Sequence, residues 1–226
     1  LFDPHSVHFH GFPNAATVFD GVPERGISVN MGSSLSYYYK IVDAGTFMYH
    51  CHVEAAEHMQ MGMLGNLYVR PRQNRLTAGT VLGPWTHQAG NKYVYNDGDG
   101  STRYDVETAI QIGSMDSVFH TEHIGVQPLP FANMRDDYGM LNGRGYPQTV
   151  SADPVPVVAG GDKAESGVFN ANESSQLVPS LVTARVGQRI LLRLRVDPPV
   201  RRVRQELVGR LLAGARDPIA PRAGRG

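Results

Sequence analysis

Five of the nine histidines and the only cysteine of this 226-residue chain fall in two short segments. These are His5-Ser6-Val7-His8-Phe9-His10-Gly11 and His50-Cys51-His52, with His58 and Met63 close behind. Neutral imidazoles, a thiolate and a thioether are transition-metal ligands, and the softer ones select copper, zinc or iron–sulfur chemistry. Both segments read as strands, the first from its alternation and the second because Gly45-Thr46-Phe47-Met48-Tyr49 leads into it with aromatic and β-branched residues. Successive side chains on a strand point to opposite faces. His8 and His10 therefore share a face, His50 and His52 share a face, and Cys51 points the other way. His5, three positions before His8, lies opposite the His8/His10 pair.

If the two strands are neighbours in one sheet, four imidazoles converge on one side while Cys51 and His5 meet on the other. Two metal sites follow from parity alone. The all-imidazole side suits copper, zinc, iron or nickel; the other, completed by His58 and Met63 from the following loop, is a His2Cys set with a thioether, which describes a blue-copper electron-transfer site. A thioether is a poor zinc ligand, so copper is favoured. The bland reading of a strand histidine is a surface or satisfied core residue, and of Cys51 a small buried hydrophobe. Their joint clustering outweighs it, whereas Met59 and Met61 read as gap-filling side chains. His87, His120 and His123 show no ligand spacing and read as surface residues. Asp97-Gly98-Asp99-Gly100 is not a calcium loop, because the sixth and twelfth positions from Asp97 are Thr102 and Thr108 where Gly and Glu are needed; it reads as a solvated hairpin turn.

The elements that must position these residues are β. Short Val/Ile/Tyr/Phe/Thr runs broken by Gly, Pro, Asn and Asp recur with turn signals about every ten residues, a sandwich or barrel pattern. One β unit spans 1–72 and another 101–195, with a polar connector at 73–100 in which Ala78–Trp85 reads as ordered. Residues 196–226 carry seven arginines against three acids and no aromatic or lysine, whereas 1–195 carry 14 basic against 18 acidic residues. This tail reads as disordered apart from a short helix near Val203–Leu212, and its Arg/Ala/Gly/Pro bias resembles out-of-frame translation of GC-rich DNA. Strand alternation stops near Leu194, too early for a complete second sandwich. The sequence opens at Leu1 inside a strand pattern with no methionine or signal peptide, and is read as a fragment or processed product. Lys+Arg and Asp+Glu balance at 21 each. That balance argues against nucleic acid and membrane surfaces as partners, and no apolar run reaches the roughly 18–20 residues of a bilayer-spanning helix. A single cysteine excludes an intrachain disulfide.

The segments HSVHFHG and GTFMYHCHVEAAEHMQMGMLGNLYV resemble the copper signatures of multicopper oxidases, the group that includes laccases and ascorbate oxidases. More narrowly they resemble bacterial two-domain forms with the type 1 copper in the first domain. The resemblance is strong over 1–72 and weaker over 101–195, where Met140–Pro147 and Thr183–Leu194 look like the opening of a second domain. It implies an all-β, cupredoxin-like Greek-key sandwich or barrel, one N-terminally trimmed domain plus the start of another. It also implies that His5, Cys51 and His58 are equatorial type 1 ligands with Met63 axial, His8 a type 2 ligand, and His10, His50 and His52 type 3 ligands. Asp20, in Phe19-Asp20-Gly21-Val22-Pro23, matches the family's proton-relay aspartate, or is a turn residue before Gly21. Common laccases place the type 1 histidine five residues after the cysteine, whereas His58 is seven after Cys51; the step from His58 to Met63 is kept. A complete trinuclear cluster in this family uses eight histidines, of which four are present.

By this resemblance the chain is part of a copper-dependent oxidoreductase taking single electrons from phenol-like or metal-ion donors and reducing dioxygen to water, with Cys51, His50, His52 and Asp20 carrying the reaction. Its partners would be a small-molecule reductant, dioxygen and, for the missing half-cluster, other copies of itself in a trimer; export to the periplasm or outside the cell is implied. The alternatives are a non-enzymatic cupredoxin carrier or copper-handling protein, and a copper nitrite reductase, disfavoured because His52 directly follows Cys51.

Overall fold

The computed structural model describes residues 3–11, 16–123, 125, 129, 131–156 and 174–196. The helix expected near 203–212 and the tail from 197 on lie outside the described residues. In chain order the strands are β1 (His8–Phe9), β2 (Gly45–His50), β3 (Leu64–Val69), β4 (Val81–Leu82), β5 (Trp85–Thr86), β6 (Lys92–Tyr93), β7 (Arg103–Tyr104), β8 (Val106–Met115), β9 (Tyr138–Leu141), β10 (Val155–Pro156), β11 (Ser174–Ser175) and β12 (Ile190–Val196). The α-helices are α1 (Ala55–Gln60) and α2 (Ser117–Glu122). The expected all-β class is borne out.

The first sheet is antiparallel in the order β1-β2-β3, with His8 opposite His50 and His50 opposite Leu64. Its β1 is shorter than the alternation from His5 suggests. His5 instead makes an isolated bridge with Val29, and between them Val7 gives its N–H to the Tyr37 hydroxyl at 3.2 Å. The buried Ser6 hydroxyl donates to the Gly21 carbonyl at 2.5 Å. Side chains thus replace some ladder bonds over this stretch and supply partners to main-chain groups of an irregular path. Gly21 is required there: its φ is +76° and a Cβ would stand 2.2 Å from the Val7 carbonyl oxygen.

Residues 73–100, read as a connector with Ala78–Trp85 ordered, carry short elements of their own. A short 3-10 turn at Arg72–Arg75 precedes two hairpins, β4–β5 and β6–β7. Polar side chains hold them: Asn74 accepts from the Tyr93 N–H at 2.8 Å, and Asn96 from the Gln73 N–H at 3.0 Å. Asp97 sits in the β6–β7 turn, as expected for a hairpin, and accepts from the Gln73 side chain, the Gly100 N–H and both the N–H and hydroxyl of Thr102.

The second sheet has the order β12-β8-β9, with β12 parallel and β9 antiparallel to β8. β12 alternates in an inverted sense: Arg193 and Arg195 are buried while Ile190, Leu192 and Leu194 are exposed. The arginines face the first sheet. Arg193 pairs with Glu107 and donates to the Thr46 hydroxyl at 2.9 Å, Arg195 donates to the Gly65 carbonyl at 2.5 Å, and Arg70 reaches Glu107 at 2.6 Å from the end of β3. Charge-assisted hydrogen bonds, not apolar packing, join the two sheets along this seam.

Burial pushes the Asp97 carboxyl up, but the hydrogen bonds from Thr102, Gln73 and the Gly100 N–H outweigh it and hold the group below the usual carboxylate range. A depressed carboxylate stabilises the fold above its unfolded value near ~3.9 and loses that contribution as the pH falls towards the folded value. Asp97→Asn should therefore cost about 1–2 kcal/mol at pH 7, and the gap from wild type in denaturant unfolding should narrow below about pH 4. A gap that is constant with pH would contradict this account of the turn.

Candidate metal centre

The loop after Cys51 is folded by α1, whose Ala55-Ala56-Glu57 start has high helix propensity. His58 lies inside this helix. The helix ends in a Schellman motif, in which a residue of positive φ lets two N–H groups turn back onto the last free carbonyls. Gly62 has φ +85°, its N–H donates to the Met59 carbonyl at 3.0 Å, and the Met63 N–H donates to the His58 carbonyl at 2.9 Å. The Met63 carbonyl in turn accepts from the Cys51 N–H at 2.9 Å. The five-residue step from His58 to Met63 is thus one cap, which ties the main chain of Met63 to both neighbouring ligand candidates.

Inside this frame the Cys51 sulfur lies 3.1 Å from His58 Nδ1 and 3.9 Å from His5 Nδ1. Nitrogen and sulfur ligands bound about 2.0–2.3 Å from one ion stand roughly 3.5–3.8 Å apart, so the three atoms bracket the separation an ion requires. Cys51 is 5% exposed and His58 0%. Burial, then the neighbouring His5, lowers the His58 pKa against the opposing pull of Glu57, Glu54 and Asp3. Buried His58 Nε2 has no hydrogen-bond partner, and carboxylate oxygens of Asp3 and Glu54 lie within 4.8 Å of each other and of a His58 ring nitrogen.

On the opposite face of β1 and β2 the four remaining imidazoles gather. Ring centroids are 4.8 Å apart for His8 and His10, 5.1 Å for His8 and His52, and 5.1 Å for His10 and His50. His8 Nδ1 donates to the Asp20 carbonyl at 2.6 Å and His50 Nδ1 to the Cys51 carbonyl at 2.7 Å. Committing Nδ1–H in this way leaves Nε2 with a free lone pair, as metal-ligating histidines do. His10 Nε2 then stands 3.0 Å from His50 Nε2. Burial comes first in lowering both pKa values, followed for His10 by its neighbour His8; for His50 the Cys51 carbonyl opposes the shift and His10 and His8 add to it. The neutral rings are in their ligand form.

Residues 1–74 match a family model described as multicopper oxidase. This stretch is similar to the multicopper oxidase family. Among curated proteins, "Multicopper oxidase MCE" of Talaromyces pinophilus is 37% identical over 73 residues, covering 30% of this chain and 11% of its own length. Among solved structures, the blue copper oxidase of Nitrosomonas europaea is 23% identical with a TM-score of 0.47, covering 70% of this chain and 41% of that one. A multi-copper oxidase of Pseudomonas thermotolerans is 23% identical with a TM-score of 0.42, covering 64% and 30%. The chain therefore spans less than half the length of each of these relatives. No helix among the described residues is long and apolar enough to cross a membrane.

Within this stretch Asp20 is half-buried and ends a 3-10 turn, with its N–H on the Thr17 carbonyl. Its carboxylate oxygen is 3.5 Å from His8 Nδ1, so the turn role and proximity to the imidazole cluster coexist. Three histidines read as surface residues are not. His87 is 1% exposed and hydrogen-bonds the Tyr93 hydroxyl at 3.1 Å. His120 donates from Nε2 to the Gln60 carbonyl at 2.6 Å, and His123 pairs with Glu57 with both side chains nearly enclosed. The partners of His120 and His123 are distant in sequence, which no local spacing reveals, whereas that of His87 is only six residues on.

Several supporting residues also escaped sequence reasoning. The Ser6 hydroxyl joins the Gly21 carbonyl to the His52 N–H, the latter at 3.4 Å. Tyr39 donates to the Phe19 carbonyl, and burial, then Tyr37 and Asp20, push its hydroxyl up to about 12. The alternation of Tyr37 and Tyr39 was the available signal.

Since burial keeps His10, His50 and His58 neutral in the folded chain, protons bind the unfolded chain more readily than the folded one. Metal-free protein should lose stability as the pH falls below the ordinary imidazole value of 6.5. Replacing His50 by Gln should flatten that slope in thermal or urea melts between about pH 7 and 5. An unchanged slope would contradict the burial assignment. Gly62→Ala, which forces a Cβ into a left-handed conformation, should cost about 1–2 kcal/mol in the same melts.

Proposed function

We propose that this chain is part of a copper-dependent, laccase-like oxidoreductase. His5, Cys51, His58 and Met63 hold a type 1 copper, while His8 holds a type 2 copper and His10, His50 and His52 the type 3 pair as half of a trinuclear site. The supporting observation is the opposition across one pair of strands of a Cys51–His5–His58 cluster and a four-imidazole cluster. Bound copper supplies one-electron oxidation of a phenol-like or metal-ion donor at the first set and four-electron reduction of dioxygen to water at a complete cluster.

The chain's own residues prepare both sets. Burial of Cys51 and His58 excludes water from the sulfur and its partner imidazole, and the Schellman cap fixes the main chain of Met63 beside both, from where its thioether would complete the ligand set. Cys51 is joined through its own peptide bonds to His50 and His52, so the two ligand sets are connected by covalent bonds. The Asp20 and Cys51 carbonyls orient His8 and His50 with Nε2 inward. The Asp20 carboxylate lies 3.5 Å from His8 Nδ1, a position in keeping with a relay role. Asp3 and Glu54 place negative charge beside His58, which favours cationic donors over neutral ones. The four further histidines of a complete cluster come from another part of the protein or from other copies in a homotrimer, and the working compartment is the periplasm or the exterior.

Copper-loaded protein should show an intense visible thiolate-to-copper band that Cys51→Ser abolishes; a colourless but copper-replete wild type would overturn the assignment. Met63→Leu should keep the colour and raise the reduction potential, because a thioether stabilises the oxidised metal more than an alkyl group. In the complete enzyme Glu54→Gln should raise KM for a cationic donor several-fold while leaving a neutral phenol unaffected. About one copper per chain, with no binding on the imidazole face, would favour a carrier instead.

A further inference from the structure

α1 has six residues, too few for a stable helix in water without tertiary support. Glu54 at its start makes no side-chain cap. Yet His58 within it must be held to a fraction of an ångström for its Nδ1 to keep station beside the Cys51 sulfur. Two residues of α1, Glu57 and Gln60, lie three apart and so on adjoining positions of one helix face, and both point away from the metal-ligand cluster to residues far along the chain.

Gln60, 7% exposed, has its polar groups engaged by the segment after β8. Its side-chain oxygen accepts from the Asp116 N–H at 3.3 Å, its amide donates to Asp136 at 3.1 Å, and its carbonyl accepts from His120 Nε2 at 2.6 Å. Glu57, 2% exposed, pairs with Nδ1 of His123. His120 and His123 are also three apart, on and just after α2, which is itself anchored by its Asp116 cap accepting from the Phe119 N–H at 2.9 Å. Two matched i, i+3 pairs therefore join α1 to α2, one on each side of His58.

We propose that His120 and His123, acting through Gln60 and Glu57, are positioning residues for the type 1 ligand His58, so that α2 and the residue after it help set the geometry of the copper site. This rests on the copper reading above. A helix free to rotate would swing His58 away from Cys51; held at Glu57 and Gln60 it cannot. The pairing also accounts for the longer Cys51-to-His58 spacing, since the added length forms the helix that these residues grip.

The test uses the whole chain loaded with copper. His123→Ala and His120→Ala remove the two histidine contacts; Gln60→Met removes the side-chain bonds to Asp116 and Asp136 with little change in volume and leaves the main-chain carbonyl that His120 holds; His123→Gln and His120→Gln keep a donor. Val118→Ala, on the exposed side of α2, is the control. The alanine and methionine variants should bind copper about 10–100-fold more weakly, shift the visible thiolate-to-copper band and change the reduction potential. The glutamine variants should recover toward wild type, and the control should match it. In metal-free protein, hydrogen exchange at the His58 and Met61 amides should quicken in the same variants. If wild type has no thiolate-to-copper band, the copper reading itself fails. If wild type is blue and the folded variants have its band, potential and exchange rates, the positioning role is overturned. Should an alanine variant not fold, the Gln60→Met and glutamine pair decides by the same readings.

Discussion

The structure depends on the register of one short antiparallel pairing, His8 opposite His50. Because side chains alternate at every residue, a slip of one position would carry every ligand candidate on that strand to the other face. In the observed register His8, His10, His50 and His52 converge, and Cys51 is left to meet His5 and His58. Just two residues of β1 make the ladder, so the register has to be secured from outside it. The His5–Val29 bridge, the buried Ser6 hydroxyl and the close approach of Gly21 to Val7 do so, each fixing the path of the first strand without adding to it.

The same device appears at His8, His50 and Met63: a main-chain group orients the side chain or its loop. Carbonyls of Asp20 and Cys51 select the tautomers of His8 and His50, and the carbonyl of His58 anchors Met63. Main-chain groups are fixed by the fold and do not titrate near neutral pH, so the imidazoles can be neutral and preorganised together. Burial supplies the rest, lowering the proton affinity of His10, His50 and His58 so that protons compete poorly for the ligand nitrogens.

How far the sequence reveals this arrangement depends on whether a residue acts locally. Strand alternation at His5–His10 and at Gly45–His52 was enough to separate the two clusters, and the spacing of His58 and Met63 anticipated a shared loop. Gly62 between them was a readable helix stop. What could not be read were contacts made across long sequence distances by polar side chains. His120 and His123 carry no periodic signal, and nothing local points to their partners in α1. The hairpins of 73–100 were understated for the same cause, because Asn74, Asn96 and Asp97 organise them through hydrogen bonds rather than an apolar face. β12 shows the converse: its alternation was legible, but burial of the arginines and exposure of the leucines follow from the Glu107, Thr46 and Gly65 partners across the seam.

The central claim, that one strand pair divides its ligands between two separate metal sites, is tested most directly by a crystal of copper-loaded protein measured on either side of the copper absorption edge. The account predicts an anomalous peak within about 2.0–2.3 Å of the Cys51 sulfur and the Nδ1 atoms of His5 and His58, with distinct density among the Nε2 atoms of His8, His10, His50 and His52 on the other face. Copper bound away from Cys51, or one ion shared between residues of both faces, would contradict it.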